Sequence, residues 1–477
     1  MPTADRPAPR ELSVPDVVEA WWPLAASWLL MGLELPAVSA VMARLPDPKL
    51  SLAAYGGVVF PLCLLIESPI IMLLAASTAL SRDWGSYLLV RRFMFIAASA
   101  LTLLHVLVAF TPLYGLVVGG LLGAPPEILE PARRGLQIMI PWTLSIAYRR
   151  FQQGILIRNG RARQVGVGTA VRLTTNGLVL AAGYAFGRVP GIVVGTTAVA
   201  AGVMSEAAYA AFSVRPVLRN VLRRATPIPQ ALTLRAFLHF YVPLAVTPLI
   251  AFVAMPLASA AMNRMPLALA SLAAWPVING LVFALRSVGF AANEVVVSLL
   301  DSPRATRALR RFTGGLALIT TGGLVVAAAS PLGRFWFARV SALPPDLVGP
   351  AALGLWLSFA MPALSAYQSW YQGALVHSHR TRGVSESVFL YLATIGLALG
   401  AGVAFGRIMG LYVALVAMVA GNAVQVVWLR VRAHETIRAI EAREAREAGL
   451  APAGAPPPPA PPLTEIQPTS PFSPEVP

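Results

Sequence analysis

Six polar side chains stand inside stretches that are otherwise almost wholly apolar, and their types are those that move ions and charged solutes. They are Glu34 in "MGLELPAV", Glu67 in "LLIESPII", Arg150 in "AYRRFQQG", and Arg286, Asn293 and Glu294 in "ALRSVGFAANEV". A carboxylate held where water is scarce can bind and release a proton or a sodium ion, which makes Glu34 the candidate coupling site. A guanidinium in the same setting attracts an anion, the role open to Arg150 and Arg286. Plain alternatives stand beside each reading. Glu34 can simply accept a hydrogen bond from a neighbouring helix. Arg149 and Arg150, about two turns from a helix end, can snorkel to headgroups. Arg172 and Glu206 can pair with each other. The lone His105 and His239 read as core residues rather than a proton relay. His377 and His379 have the look of a metal pair but fall in a polar loop, and the single Cys63 excludes both an intramolecular disulfide and a Cys-rich metal site. No metal and no cofactor are expected. There is no GxxxxGK[ST] loop, Gly166 and Gly168 lack the rest of a phosphate fingerprint, and no Ser/His/Asp constellation appears. ATP hydrolysis is therefore not the energy source.

The elements that must position these groups follow from composition. Of 477 residues 57% are hydrophobic and only 12% charged, far from the quarter typical of soluble domains. Apolar runs of roughly 20 residues, enough to cross about 30 Å of hydrocarbon, recur along the chain. They predict twelve membrane-spanning helices near 21–43, 52–80, 92–114, 132–156, 165–187, 190–213, 236–262, 271–299, 310–330, 349–376, 384–406 and 408–430. A net charge of +16 would suit a nucleic-acid protein. Here the arginines instead gather in alternate loops, after the second, fourth, sixth, eighth and tenth spans. The positive-inside rule then puts both termini in the cytoplasm of a cell-membrane protein, the inner membrane where there are two, in contact with lipids and with no nucleic-acid role.

The chain also says nearly the same thing twice. "FQQGILIRNGRAR" begins at Phe151 and "WYQGALVHSHRTR" at Trp370. At an offset of 219 or 220 residues "SLAAY" at Ser51 meets "SLAAW" at Ser271, "RRF" at Arg91 meets "RRF" at Arg310, and "AFGR" at Ala185 meets "AFGR" at Ala404. Such density of matches marks an internal duplication of six spans. An even number of spans returns the chain to the same side, so the copies lie parallel about an axis along the membrane normal. The predicted fold class is all-α integral membrane, twelve helices in two parallel pseudo-symmetric six-helix bundles. The expected domains are 1–20, a cytoplasmic segment; 21–224 and 225–430, the bundles; 431–450, a short charged solvated helix; and 451–477, a disordered Pro-rich tail. In this register Glu67 and Arg286 are equivalent, opposite charges at matching sites.

The "QQGILIRNGRAR" loop after the fourth span, its echo "YQGALVHSHRTR" and the twelve-span duplication resemble the multidrug/oligosaccharidyl-lipid/polysaccharide (MOP) flippase superfamily, which includes the multidrug and toxic compound extrusion (MATE) exporters. "LAAYG" at 52–56, "SRD" at 81–83 and "ALRSV" at 284–288 are similar to the progressive ankylosis protein branch, whose members are linked to export of pyrophosphate and related organic anions. The resemblance implies two rocking bundles, with spans two and eight facing one another across a cleft where Glu67 and Arg286 pair or are each neutralised in their own bundle. The expected function is a monomeric secondary active exporter of a small organic solute, coupled to a proton or sodium gradient. A flippase for lipid-linked oligosaccharide or polysaccharide precursors is the second reading, and an intramembrane enzyme or scaffold the third.

Overall fold

A computed structural model describes residues 11–228 and 231–447. Twelve helical rods account for almost all of them: α1 (Val14–Met42), α2 (Pro48–Leu80), α3 (Trp84–Phe110), α4 (Pro126–Arg158), α5 (Ala162–Phe186), α6 (Gly191–Leu222), α7 (Leu234–Asn263), α8 (Ala268–Leu299), α9 (Ala305–Ala329), α10 (Pro345–His377), α11 (Arg382–Phe405) and α12 (Gly410–Glu447). Eleven are long and apolar enough to cross a membrane by composition alone. The twelfth, α4, is as long, at 33 residues, but carries Arg149 and Arg150 inward and Glu127, Glu130, Arg133 and Arg134 in its first turns, which dilutes its hydropathy. The expected tail at 451–477 lies outside the described residues, as does the start of the 1–20 segment.

Local sequence sets where the rods begin and bend. Asp83 caps α3 by accepting from the Ser86 amide (2.9 Å), so the helix starts at Trp84 and Arg91 and Arg92 ride on it rather than in a loop. Pro69 has no N–H to give, and α2 tightens into a 3₁₀ turn over Ser68–Ile70 directly after Glu67. α12 departs from expectation: no separate short helix follows it. One 38-residue rod runs on to Glu447, because Ala433, Ile437 and Ile440 continue a buried stripe against α9 and α10.

The two halves are related by reciprocal contacts that repeat the sequence offset. On α1, Trp21 stacks edge-on against Phe312 (5.4 Å) and donates to the Val288 carbonyl (2.9 Å). On α7 the equivalent residue, Tyr241, packs against Phe93 (5.0 Å) and donates to the carbonyl of Pro69. Each pair of partners is offset by the same 219 or 220 residues. The first helix of each half therefore lays its terminal end on the other half and returns to its own half further along. There Met42 packs on Gly191 and Gly195, and Met262 on Gly410. At the centre, Gly56 and Pro276 are equivalent to each other and touch: a Cβ on Gly56 would come within 2.6 Å of the Pro276 ring. Only a residue without Cβ admits so close an approach.

At the face opposite the termini the halves are clasped. Arg44 donates to the Arg339 carbonyl (2.6 Å), and its equivalent Arg264 donates to the Leu121 carbonyl (2.9 Å). Asn263 donates to Leu122 (2.8 Å), and Lys49 pairs with Asp346 across the same seam.

Candidate functional site

The first half encloses a network of charges. Its hub is Glu206 on α6, with no exposed surface. Arg149 on α4 donates to Glu206 Oε2 at 2.6 Å, Gln153 to Oε1 at 2.9 Å, and Arg172 Nε on α5 lies 3.5 Å from Oε2. Arg172 then extends its other end to Glu34 on α1 (3.2 Å), which also accepts from Asn176 Nδ2 at 2.8 Å. Helical spacing explains the grouping: Arg149 and Gln153, like Arg172 and Asn176, are four residues apart and share a face. The chain thus runs from Glu34 through Arg172 and Glu206 to Arg149, linking four helices with alternating charge. Pairing of this kind offsets much of the cost of burying these ions.

Glu67 and Arg150 lie beside this chain rather than in it. Glu67 is 4% exposed, its Oε2 buried with no hydrogen-bond partner, and the cations acting on it are Arg149 and Arg150. Arg150 likewise keeps an unpartnered Nε. The first half therefore sets three carboxylates, Glu34, Glu67 and Glu206, against three arginines, Arg149, Arg150 and Arg172, within its spans.

The second half is built otherwise. Arg286 on α8 donates from Nε to Ser365 (2.7 Å) on α10 and from Nη2 to Asn422 (3.0 Å) on α12, and lies over the Phe290 ring. Among the described residues no carboxylate is within salt-bridge distance of it. Two further residues predicted for this region separate from Arg286. Asn293 donates to the Ser369 carbonyl (3.3 Å), and Glu294 is exposed.

Several expectations are corrected by this geometry. Arg149 does not snorkel; it is 6% exposed and turned inward to Glu206, because a carboxylate at that depth is a better partner than distant headgroups. Glu34 accepts a hydrogen bond from a neighbouring helix, the plainer of its two readings, and α5 brings Arg172 as well as Asn176 to it. His239 is exposed rather than in the core, whereas His105 is buried, 3.2 Å from Thr143 Oγ1. His377 binds the Val297 carbonyl and Asp301, and no group of metal ligands forms among the described residues. In this conformation Glu67 and Arg286 each turn into their own half and do not pair. Arg149, Arg172, Glu206, Gln153 and Asn176 were not among the predicted site residues, although the i,i+4 spacing of the polar pairs is visible in the sequence.

Twelve helices in two bundles of six related by an axis along the rods is the fold of MOP-superfamily transporters. Solved structures that share it include an inward-facing multidrug resistance MATE family transporter, 15% identical over 88% of this chain and 98% of that one with a TM-score of 0.64. The lipid II flippase MurJ in an inward closed conformation is 12% identical, covering 89% and 90%, with a TM-score of 0.65. A mutant of the Vibrio cholerae MATE transporter VcmN is 18% identical, covering 89% and 98%, with a TM-score of 0.63. No family model matches the sequence and no curated protein matches it.

Proposed function

We propose that the chain is a secondary active exporter of a small anionic organic solute, working as a monomer by rocking of its two halves, residues 21–224 and 225–430, with both termini in the cytoplasm. The observation that carries the reading is Arg286: a cation at mid-span whose partners are a serine, an asparagine and an aromatic ring, with no carboxylate among the described residues within salt-bridge distance. An intramembrane charge without a counterion is costly, and an anionic solute arriving between the halves supplies one. Coupling belongs to α1. Gly32 packs on Ala284 and Ser287 of the second half, and two residues on, Glu34 is held by Arg172 and Asn176 of the first. A proton or sodium ion taken up by Glu34 competes with Arg172 and loosens α1 from α5, which changes the tie between halves.

The test is efflux from proteoliposomes loaded with fluorescent organic anions and cations under an imposed proton or sodium gradient. Gradient-driven movement of the anions is expected. Arg286→Gln raises their KM about tenfold, and Glu34→Gln abolishes dependence on the gradient with expression unchanged. Faster movement of cations, or an Arg286→Gln protein with unaltered KM, refutes the anion assignment. A flippase for lipid-linked oligosaccharide precursors is the second reading, supported by the likeness to a lipid II flippase. Translocation of a labelled undecaprenyl-linked sugar without any gradient favours it.

A further inference from the structure

A second charged site lies outside the interior network. Where α3, α4 and α6 diverge at the terminal face they leave a cavity of about 260 Å³. Four arginines line it, Arg91 from α3, Arg215 and Arg219 from α6, and Arg223 just beyond it, with Trp84 and Tyr87 as an aromatic wall. Arg223 lies over the Trp84 ring at 4.8 Å, which fixes one guanidinium in place. None of the four has a carboxylate within salt-bridge distance among the described residues. Asp83, next to Trp84 in the chain, has both oxygens engaged elsewhere, by the Ser86 amide (2.9 Å) and the Ile228 amide (3.3 Å). At the base of the cavity Gln152 is 1% exposed, and its Oε1 has no hydrogen-bond partner. The Tyr87 side chain of the same wall bears on the Gln152 amide, and the open Oε1 leaves Gln152 able to accept from a further donor such as a ligand hydroxyl.

The other half shows what belongs there. By the sequence offset Arg91 corresponds to Arg310 and Tyr87 to Thr306. The extension of α12 delivers carboxylates to both: Glu441 pairs with Arg310, and Glu444 accepts from the Thr306 amide and hydroxyl (2.9 Å each). In the first half α6 ends at Leu222, the equivalent of Glu441, so the same corner carries the arginines without the internal anion.

We infer that this cavity is a binding site for a phosphate-bearing ligand that also carries a hydroxyl, the phosphate held by the arginines and the hydroxyl donating to Gln152. Planar guanidinium groups suit phosphate oxygens, and the depth at the membrane edge admits either the headgroup of an anionic glycerophospholipid or a free phosphate ester. The inference is independent of the transport reading.

Native mass spectrometry of the full chain in neutral detergent tests it, with phosphatidylglycerol, phosphatidylcholine and glycerol 3-phosphate as probes. Two sets of exposed substitutions, Arg219→Gln with Arg223→Gln and Arg91→Gln alone, are compared with Arg161→Gln/Arg163→Gln, a pair in the α4–α5 loop and the first turn of α5. The expected result is one bound anionic probe, weakened about tenfold or more by either cavity set and unchanged by the loop pair. Binding of phosphatidylglycerol but not glycerol 3-phosphate identifies the lipid source, and the reverse identifies the free ester; both support the site. Equal loss with the loop pair, equal binding of phosphatidylcholine, or no bound anion at all overturns it.

Discussion

The two halves share a backbone and differ in how they treat charge. In the first, Glu206 is gripped by Arg149, Arg172 and Gln153. In the second, the equivalent of Glu206 is Gln425, which donates to the Ser387 hydroxyl (3.4 Å), and Gln368 and Tyr391 stand in place of Arg149 and Arg172. Neutral groups thus do in one copy what ions do in the other, and the helices still meet at equivalent contacts. Packing of small residues and reciprocal aromatic pairs is enough to specify the bundle. The first-half ions are then surplus to folding geometry, which is the reason to look for function in them.

The sharpest way to break this comparison is to give the first half the second half's residues. Glu206→Gln alone leaves Arg149 without its buried counterion and should destabilise the protein by about 3–5 kcal/mol. Arg149→Gln added to it puts in the first half the two neutral residues, Gln368 and Gln425, that the second half carries at these positions, and should recover more than half of that loss. Thermal unfolding in detergent measures both. A double variant no more stable than Glu206→Gln would mean that the first half needs its ions to fold.

Much of this was legible in the sequence, and for an identifiable reason. A repeat registers as identity at fixed offset, so the duplication, the number of rods and the equivalence of Glu67 with Arg286 could be read from letters alone. Partner choice could not. Whether Glu34 meets α5 or α8 depends on the rotation of α1 about its axis, and α1 is apolar enough on all sides that no face announces itself. The start of α3 is obscured in the sequence because Arg91 and Arg92 read as a loop, although the Asp83 and Ser86 pair is a helix-start signal. The extension of α12 reads as a solvated helix in the sequence because its many Glu and Arg residues outweigh the sparse stripe of Ala433, Ile437 and Ile440.

A smaller effect is expected at the clasp on the face away from the termini, where the comparison predicts agreement rather than difference. Arg44 and Arg264 are equivalent and each donates to carbonyls of the opposite half. Replacing either with Ala should favour opening of that face by about 1 kcal/mol, roughly fivefold in population. Arg264 should have the larger effect because it reaches three successive carbonyls, those of Gly120, Leu121 and Leu122. Distances between spin labels placed on the two halves read the population. Opposite shifts from the two variants would show that the clasp is not symmetric in energy.

The smallest effect concerns the opposite charges at matching positions. Arg286 is held by Ser365 and Asn422 inside the second half, and the cations acting on Glu67 are Arg149 and Arg150 of the first, so in this conformation they act on different neighbours. A double-mutant cycle of Glu67→Gln and Arg286→Gln on thermal stability should therefore show coupling below about 0.5 kcal/mol, the additivity of separated sites. Transport is a separate question, since the rocking proposed above would bring other surfaces together. If Glu67→Arg with Arg286→Glu restores part of the transport that each single change removes, the two meet in the opposite conformation and form a gate that this one holds apart. Strictly additive losses in transport would instead leave Glu67 serving the first-half network and Arg286 serving the solute, each within its own bundle. Coupling above about 1 kcal/mol in stability would contradict the separation seen here, and with it the view that the halves keep their charges to themselves.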